Sequence, residues 1–167
     1  MELCSDNLKN IIEEKPKVFK RESSEAMNSI EFYISCQLFR ELLECVQYLH
    51  ESNPPIIHRD LKPANILIQE KPSNGRFLKL CDFGYAIEHE YSSMLHTGRL
   101  GTLGYMAPEV ILAFSDNGRT HYSTKADIFS LGKITMDLFD FDIHSYDFMI
   151  ILIVLKFILG ISGLITE

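Results

Sequence analysis

The sequence predicts an α+β fold that is mainly α-helical, with short β-hairpins between the helices. Apolar residues recur every three to four positions between residues 29 and 51, which is the period of an amphipathic helix. A second stretch with the same period begins near residue 124. The apolar runs between these stretches are short and are separated by Gly, Pro and Asn, which is typical of strands joined by tight turns.

Length and composition indicate one globular domain, or two small ones, with a real core. The chain has 167 residues, of which 46% are hydrophobic and 23% charged, and this excludes collagen and disordered low-complexity sequence. A net charge of −7 gives no overall attraction to nucleic acid or anionic lipid. Four dispersed cysteines without a C-x-x-C pair argue against a zinc knuckle or a disulfide scaffold. Because no signal-peptide pattern is present, we expect a cytoplasmic protein.

The first third of the chain predicts two helices separated by a loop. Residues 7–14 predict a short helix, and the charged residues 15–26 predict a surface loop. Asn28 is placed to cap the second helix, with Glu31 as its capping-box partner. The apolar stripe of this helix, over roughly 29–51, comprises Ile30, Ile34, Leu38, Leu42, Val46 and Leu49.

The middle of the chain predicts strands, then a long functional loop and a further helix. Apolar residues at 56–57, 66–68 and 77–80 predict short strands, and Asn74-Gly75 favours a hairpin turn between the last two. Residues 82–106 are polar and glycine-rich, and a loop of that length in a compact domain is usually functional. Ser123-Thr124 predicts a helix cap with Asp127 as its partner. One side of that helix would carry Ile128, Leu131, Thr135 and Leu138.

Four motifs follow one another at the spacing of a known family. They are His58-Arg59-Asp60-Leu61-Lys62-Pro63-Ala64-Asn65, Cys81-Asp82-Phe83-Gly84, the run GTLGYMAPE at 101–109 and the run DIFSLG at 127–132. With these motifs the chain resembles the C-terminal lobe of a eukaryotic protein kinase, of the serine/threonine type. The resemblance covers about residues 1–139, which we expect to form a partial kinase domain followed by a divergent tail at 140–167.

The resemblance also implies what surrounds these motifs. The short hairpins would lie around the catalytic loop, and the N-terminal lobe would be absent, because the sequence has no G-x-G-x-x-G loop and no V-A-I-K-type lysine. Some segments are similar to the translation-initiation-factor-2 alpha kinases, and kinases of the NIMA-related type are the competing branch.

Phosphoryl transfer needs an oriented hydroxyl, metal ions and stabilised charge, and the resemblance assigns residues to each task. Asp60 would orient the substrate hydroxyl and accept its proton, and Lys62 would place a positive charge on the moving phosphoryl group. Asn65 and Asp82 would supply oxygen ligands to Mg²⁺. Thr102 would support Asp60 and Lys62.

Residues around the motifs would bind the nucleotide and a regulatory phosphate. Backbone groups of Glu2 and Cys4 would meet the adenine of ATP, Asp6 or Asn7 would reach the ribose, and Leu67 would lie beneath the ring. In the activation loop, 85–106, Thr97 is a candidate phosphosite, and Arg59 would pair with its phosphate. The alternative phosphosites are Tyr91, Ser92 and Ser93.

The predicted function is ATP- and Mg²⁺-dependent phosphorylation of protein serine and threonine hydroxyls, with little activity in this chain alone. Two alternatives stay open. The chain could be a non-catalytic binding or decoy module, or a membrane-tethered kinase fragment.

Residues 148–165 are 18 residues with a single charge, Lys156. They could be a membrane-spanning helix, a buried helix that covers an exposed face of the lobe, or non-native coding sequence. Such an apolar tail also predicts self-association.

Overall fold

The structure is a computed structural model that describes residues 4–22, 25–71, 75–88, 96–97, 101–113, 119–120 and 123–141. Four of the sequence predictions fall outside these ranges. They concern Glu2, the turn residue Asn74, the alternative phosphosites at 91–93, and the tail from residue 142 onwards with its apolar segment 148–165.

Helices and short strands alternate along the described chain. The helices are α1 (Leu8–Val18), α2 (Ser29–His50), α3 (Pro108–Ala113) and α4 (Thr124–Phe139). The strands are β1 (Cys4–Asn7), β2 (Ile56–Ile57), β3 (Ile66–Gln69), β4 (Leu78–Leu80), β5 (Ile87–Glu88), β6 (His96–Thr97) and β7 (Arg119–Thr120). This mixture agrees with the predicted α+β class.

The strands form three small antiparallel sheets. One has the order β1-β3-β4, and the other two pair β2 with β5 and β6 with β7. The predicted pairing of β3 with β4 is confirmed, with Ile66 opposite Leu80. Strand β1 was not predicted, because a four-residue stretch with three polar residues has no apolar alternation to reveal it.

Helix α1 is longer than its sequence suggested. Asn7 caps it by accepting a hydrogen bond from the N–H of Asn10 at 3.1 Å, and the helix continues to Val18 with Pro16 inside it. The prediction that the surface loop begins at residue 15 is therefore wrong. Lys15, which charge alone would place in solvent, is only 4% exposed.

Helix α2 begins as predicted, and Leu42, Val46 and Leu49 of its predicted stripe are buried, whereas the first turns of that stripe are exposed. The side chain of Asn28 accepts from the N–H groups of Ile30 and Glu31, as a cap should. The carboxylate of Glu31 instead binds Arg21, so the capping-box prediction is wrong. Ile30 and Ile34 are 65% and 38% exposed. The buried face carries Cys36, Phe39, Leu42, Leu43, Val46 and Leu49.

The main core lies between α2 and α4. Leu131, Thr135 and Leu138 of α4 are buried and Ile128 packs against the same core, as predicted. Ser123 caps α4 by accepting from the N–H of Lys125, whereas Asp127 points its carboxylate elsewhere. This core fixes both helices beneath the loop that joins β2 to β3.

Candidate active site

The loop between β2 and β3 holds Asp60 in a network of three side chains. Asp60 is 4% exposed. Its Oδ1 accepts from Thr102 Oγ1 at 2.9 Å, and its Oδ2 accepts from Lys62 Nζ at 2.7 Å and Asn65 Nδ2 at 3.1 Å. A carboxylate oxygen offers about two lone pairs, so Oδ1 keeps one for a further donor.

Thr102 joins two segments that are far apart in the sequence. Its hydroxyl donates to Asp60 and accepts from Lys62 Nζ at 2.9 Å. The ammonium group of Lys62 is therefore held between two oxygens, with its side chain still 25% exposed. The structure thus brings Asp60, Lys62 and Thr102 together, as the motifs predicted they would be.

Asn65 and Asp82 have the donor chemistry that Mg²⁺ prefers. The Asn65 amide group donates to Asp60 O at 3.0 Å and to Asp60 Oδ2 at 3.1 Å. Asp82 is exposed and has a left-handed backbone with φ of 60°. Its neighbour Cys81 donates its N–H to Asn65 O at 3.0 Å, so the two candidate ligands lie on connected backbone. Carboxylate and amide oxygens fit this ion, which retains several waters in proteins.

Two contacts of the His58 ring position the segment that carries Asp82. His58 Nε2 lies 3.0 Å from Cys81 O, and the rings of His58 and Phe83 are 5.0 Å apart. These contacts join the loop that carries Asp60 to the segment that carries Asp82.

Asp127 anchors the loop from below, which the sequence analysis missed. Its carboxylate accepts from the N–H groups of His58 at 2.9 Å and Arg59 at 3.0 Å, and His50 Nε2 lies 2.9 Å from it. Arg59 needs such support because its φ is +68°, a conformation that costs energy for a residue with a side chain. The sequence signal for this role is the DIFSLG run that begins at Asp127, a residue whose position also fits a helix-cap partner.

Arg59 and Thr97, the predicted regulatory pair, both lie within the described residues. Arg59 Nε donates to Tyr85 O at the start of the activation segment. Thr97 lies in β6, where it pairs with Arg119 of β7.

The predicted nucleotide-binding residues lie on the sheet that leads to Asp82. In it Cys4 is opposite Gln69, and Asn7 is opposite Leu67. Asp6 Oδ1 already accepts from the N–H of Asn7 at 2.8 Å and from Asn10 Nδ2 at 2.7 Å. Its carboxylate therefore supports the start of α1, a role that sequence reasoning did not foresee.

A groove of about 740 Å³ opens beside Lys62 and Thr102. One wall is α1, with Lys9, Ile12 and Glu13, and the other is the end of α4 with the two residues after it. At its floor Tyr105 donates its hydroxyl to Asp137 Oδ2 at 2.6 Å, a contact not predicted from sequence.

A thiol, Cys81, directly precedes Asp82. Burial raises the pKa of the Cys81 thiol, and the charges of Asp82 and Cys4 raise it further. Within the described ranges no group of three His, Cys, Asp or Glu side chains is arranged to hold a metal ion. Nor is any described helix long and apolar enough to cross a bilayer.

Comparison with known proteins agrees with the class that this fold and site define, which is a protein kinase. The family model for the protein kinase domain matches residues 1–146. The chain therefore belongs to the protein kinase family.

Several curated relatives match the central part of the chain. The serine/threonine-protein kinase KIC1 of Saccharomyces cerevisiae is 41% identical over 101 residues, which are 60% of this chain and 8% of that protein. The interferon-induced, double-stranded RNA-activated protein kinase of Mus musculus is 38% identical over 101 residues, or 60% and 17%. The dual specificity protein kinase Ttk of Danio rerio is 42% identical over 100 residues, or 58% and 10%. The chain thus matches at most 17% of the length of these relatives.

A solved structure is similar over more of the chain. The crystal structure of the yeast RNA Pol II CTD kinase CTDK-1 complex contains a chain that matches with a TM-score of 0.60 and 30% identity. The match covers 83% of this chain and 38% of that one.

Proposed function

We propose that this chain forms the catalytic half of a serine/threonine protein kinase, which transfers the γ-phosphoryl group of ATP to protein serine and threonine hydroxyls. The observation that carries the proposal is the Asp60 carboxylate. It is buried, it is held by Lys62, Asn65 and Thr102, and Oδ1 retains one lone pair, while its partners Lys62 and Thr102 line the groove.

Asp60 would orient the attacking hydroxyl and take its proton. The hydroxyl oxygen forms a bond to the γ-phosphorus while the bond from that phosphorus to the β,γ-bridging oxygen breaks and ADP leaves. The proton passes to the Asp60 carboxylate. Lys62 Nζ, held 2.7 Å from Asp60 Oδ2, would stabilise negative charge on the transferred group.

Asn65 and Asp82 would hold Mg²⁺ through their side-chain oxygens. When bound, the ion neutralises charge on the phosphate oxygens. Asn65 itself keeps Asp60 in place through its amide group, so one side chain would serve both the metal and the base.

On the nucleotide side, backbone groups of Glu2 and Cys4 would bind adenine, Leu67 would pack under the ring, and Asp6 would lie near the ribose. A phosphate on Thr97 would pair with Arg59. The pairing of β1 with β3, which places Asn7 opposite Leu67, supports the nucleotide assignments.

The chain alone would turn over slowly, because its sequence has no glycine-rich loop and no lysine of the V-A-I-K type to orient the phosphates. The test is to fuse it behind the preceding kinase segment of a serine/threonine kinase relative and to measure phosphate transfer from Mg·ATP to a mixed-sequence serine peptide library. Asp60→Asn should reduce the rate on the order of 10²–10⁴-fold. Glu14→Gln, an exposed acid on α1, is the matched control.

No transfer by the unmodified fusion, or transfer that survives Asp60→Asn, contradicts the proposal. Peptide binding without any transfer would favour the decoy module.

A further inference from the structure

A cluster of four charges lies beside the groove, with three buried members and Asp140 at its exposed end. It contains Lys15 and Arg21 as cations and Glu31 and Asp140 as anions, so that the cluster is neutral overall. Arg21 donates to Glu31 Oε1 at 3.0 Å and also binds Asp140. Lys15 Nζ lies 3.9 Å from Glu31 Oε1, and the side chains of Lys15 and Glu31 are 3% and 0% exposed.

Lys15 also binds the end of α4 directly. Its Nζ donates to Leu138 O at 2.5 Å and to Ser35 Oγ at 3.2 Å. Leu138 O is one of the last carbonyls of α4, which have no partner within their own helix, and a cation is favourable at this end of the helix dipole. Burial lowers the pKa of Lys15. The negative charges of Asp140 and Glu31 act in the opposite direction and favour the charged form. These contacts compensate for moving the ammonium group out of water.

The cluster joins the two walls of the groove. Helix α1 packs mainly on β1, β3 and the turn at 63–65, whereas α4 packs mainly on α2. Lys15 and Arg21 extend from α1 and the residues after it to Leu138 and Asp140 at the end of α4. The same α1 carries Lys9, Ile12 and Glu13 along one side of the groove, and Asp140 lies on the other.

We propose that Lys15, with Arg21, is a positioning residue that holds the end of α4 against α1 and so sets the width of the groove that receives the protein substrate. The inference rests on the proposed kinase function. Lys15 and Arg21 do not contact Asp60, Lys62 or Thr102. They would therefore act on the groove through the position of α4 and not through the candidate catalytic residues.

The test compares three variants in the kinase fusion described above and in the 167-residue chain. Lys15→Leu removes the donor but retains an apolar side chain, Lys15→Arg restores a donor, and Lys17→Leu changes an exposed lysine of the same helix. The fusion provides the KM for peptide and for ATP. The chain provides hydrogen exchange of the amides at 136–141.

Lys15→Leu is expected to raise the peptide KM about tenfold and leave the KM for ATP unchanged, because a small displacement of a substrate-binding wall is costly. Amide exchange at the end of α4 should accelerate. Lys15→Arg should restore most of both properties, and Lys17→Leu should change neither.

Two results would overturn the inference. One is a folded Lys15→Leu chain with unchanged exchange, and the other is faster exchange with an unchanged peptide KM.

If Lys15→Leu does not fold, Asp140→Asn tests the same point at the exposed end of the cluster, since Asn tolerates the left-handed backbone at 140 (φ 51°). It should raise the peptide KM, and an unchanged value would overturn the inference. A fusion that phosphorylates nothing contradicts the proposed function, whereas the exchange data still decide whether Lys15 holds α4.

Discussion

The carboxylate of Asp127 accepts a hydrogen bond from the backbone N–H of His58 at 2.9 Å, across 69 positions of sequence. The same carboxylate accepts from the N–H of Arg59 at 3.0 Å. Two consecutive backbone groups of the loop thus depend on one buried side chain of α4. The position of Asp60, the next residue, follows from this anchor.

Asp127→Asn should destabilise the chain by about 1–3 kcal/mol, because the two N–H groups bind different carboxylate oxygens, an amide has only one oxygen, and a buried N–H would lose its partner. Urea unfolding measures the free energy. Glu14→Gln, which changes an exposed acid, should leave the midpoint where it is. Equal midpoints for Asp127→Asn and the unmodified chain would show that Asp127 does not anchor the loop.

Gly101 and Gly104 offer a matched pair for testing the approach of the 101–109 segment to the loop. Gly101 has φ of +120°, and an added Cβ would lie 3.0 Å from Arg59 O, whereas a Cβ at Gly104 meets nothing within 4 Å. Gly101→Ala should therefore cost about 1–3 kcal/mol of unfolding free energy and Gly104→Ala much less. Equal losses in the two variants, measured by urea unfolding, would contradict this contact.

The sequence predicts well where a motif or a strong periodicity determines the structure. The candidate site residues Asp60, Lys62 and Asn65 lie within six positions of one another, so their proximity follows from the motif alone. The period of α2 and the cap at Asn28 are likewise local properties.

Several features that the sequence did not predict depend on contacts between residues that are far apart in the sequence. Lys15 is buried because Glu31 and Leu138 O lie within reach, and neither is adjacent in sequence. Ile30 and Ile34 match the helical period, yet the face with Phe39 packs on α4. Asp127 occupies a plausible capping position, and only the tertiary structure shows that it binds the loop.

Thr102 should control the rate without contributing to the overall stability of the core. Thr102→Ala removes the hydroxyl that donates to Asp60 Oδ1 and accepts from Lys62 Nζ. We expect phosphate transfer by the kinase fusion to fall on the order of 10–100-fold, because the base and the cation lose their common partner. Thr102→Ser, which retains the hydroxyl, should keep most of the rate. If the alanine and serine variants are equally active, the hydroxyl has no such role.

Tyr105 gives the chain an alkaline limit to its stability. Burial, and then the hydrogen bond to Asp137, raise the pKa of this phenol above its ordinary value of 10.0. In the unfolded chain the phenol loses its proton near pH 10, whereas the folded chain retains it. The contribution of Tyr105 is therefore complete below pH 10 and is lost as the pH rises above that value.

Tyr105→Phe should flatten the alkaline fall in unfolding free energy by up to about 1.4 kcal/mol per pH unit, the slope of one proton. Urea unfolding at several pH values above 10 measures that slope. Tyr33→Phe, at an exposed tyrosine, should retain the fall seen in the unmodified chain. An unchanged slope in Tyr105→Phe would mean that Tyr105 does not retain its proton in the folded state.

Glu41 connects α2 to the strand that leads to Asp82. Its Oε2 accepts from the N–H groups of Phe77 at 2.7 Å and Leu78 at 2.9 Å. Glu41→Gln should weaken both bonds, cost about 1–3 kcal/mol and accelerate amide exchange at 77 and 78. Glu44→Gln, one turn further along α2 and paired with the exposed Arg40 and Arg76, should leave this exchange unchanged.

Because β4 runs directly into Cys81 and Asp82, we also expect the kinase fusion with Glu41→Gln to need more Mg²⁺ for half-maximal activity. If neither the exchange nor the Mg²⁺ requirement changes, Glu41 does not position the strand that leads to Asp82, the proposed metal ligand.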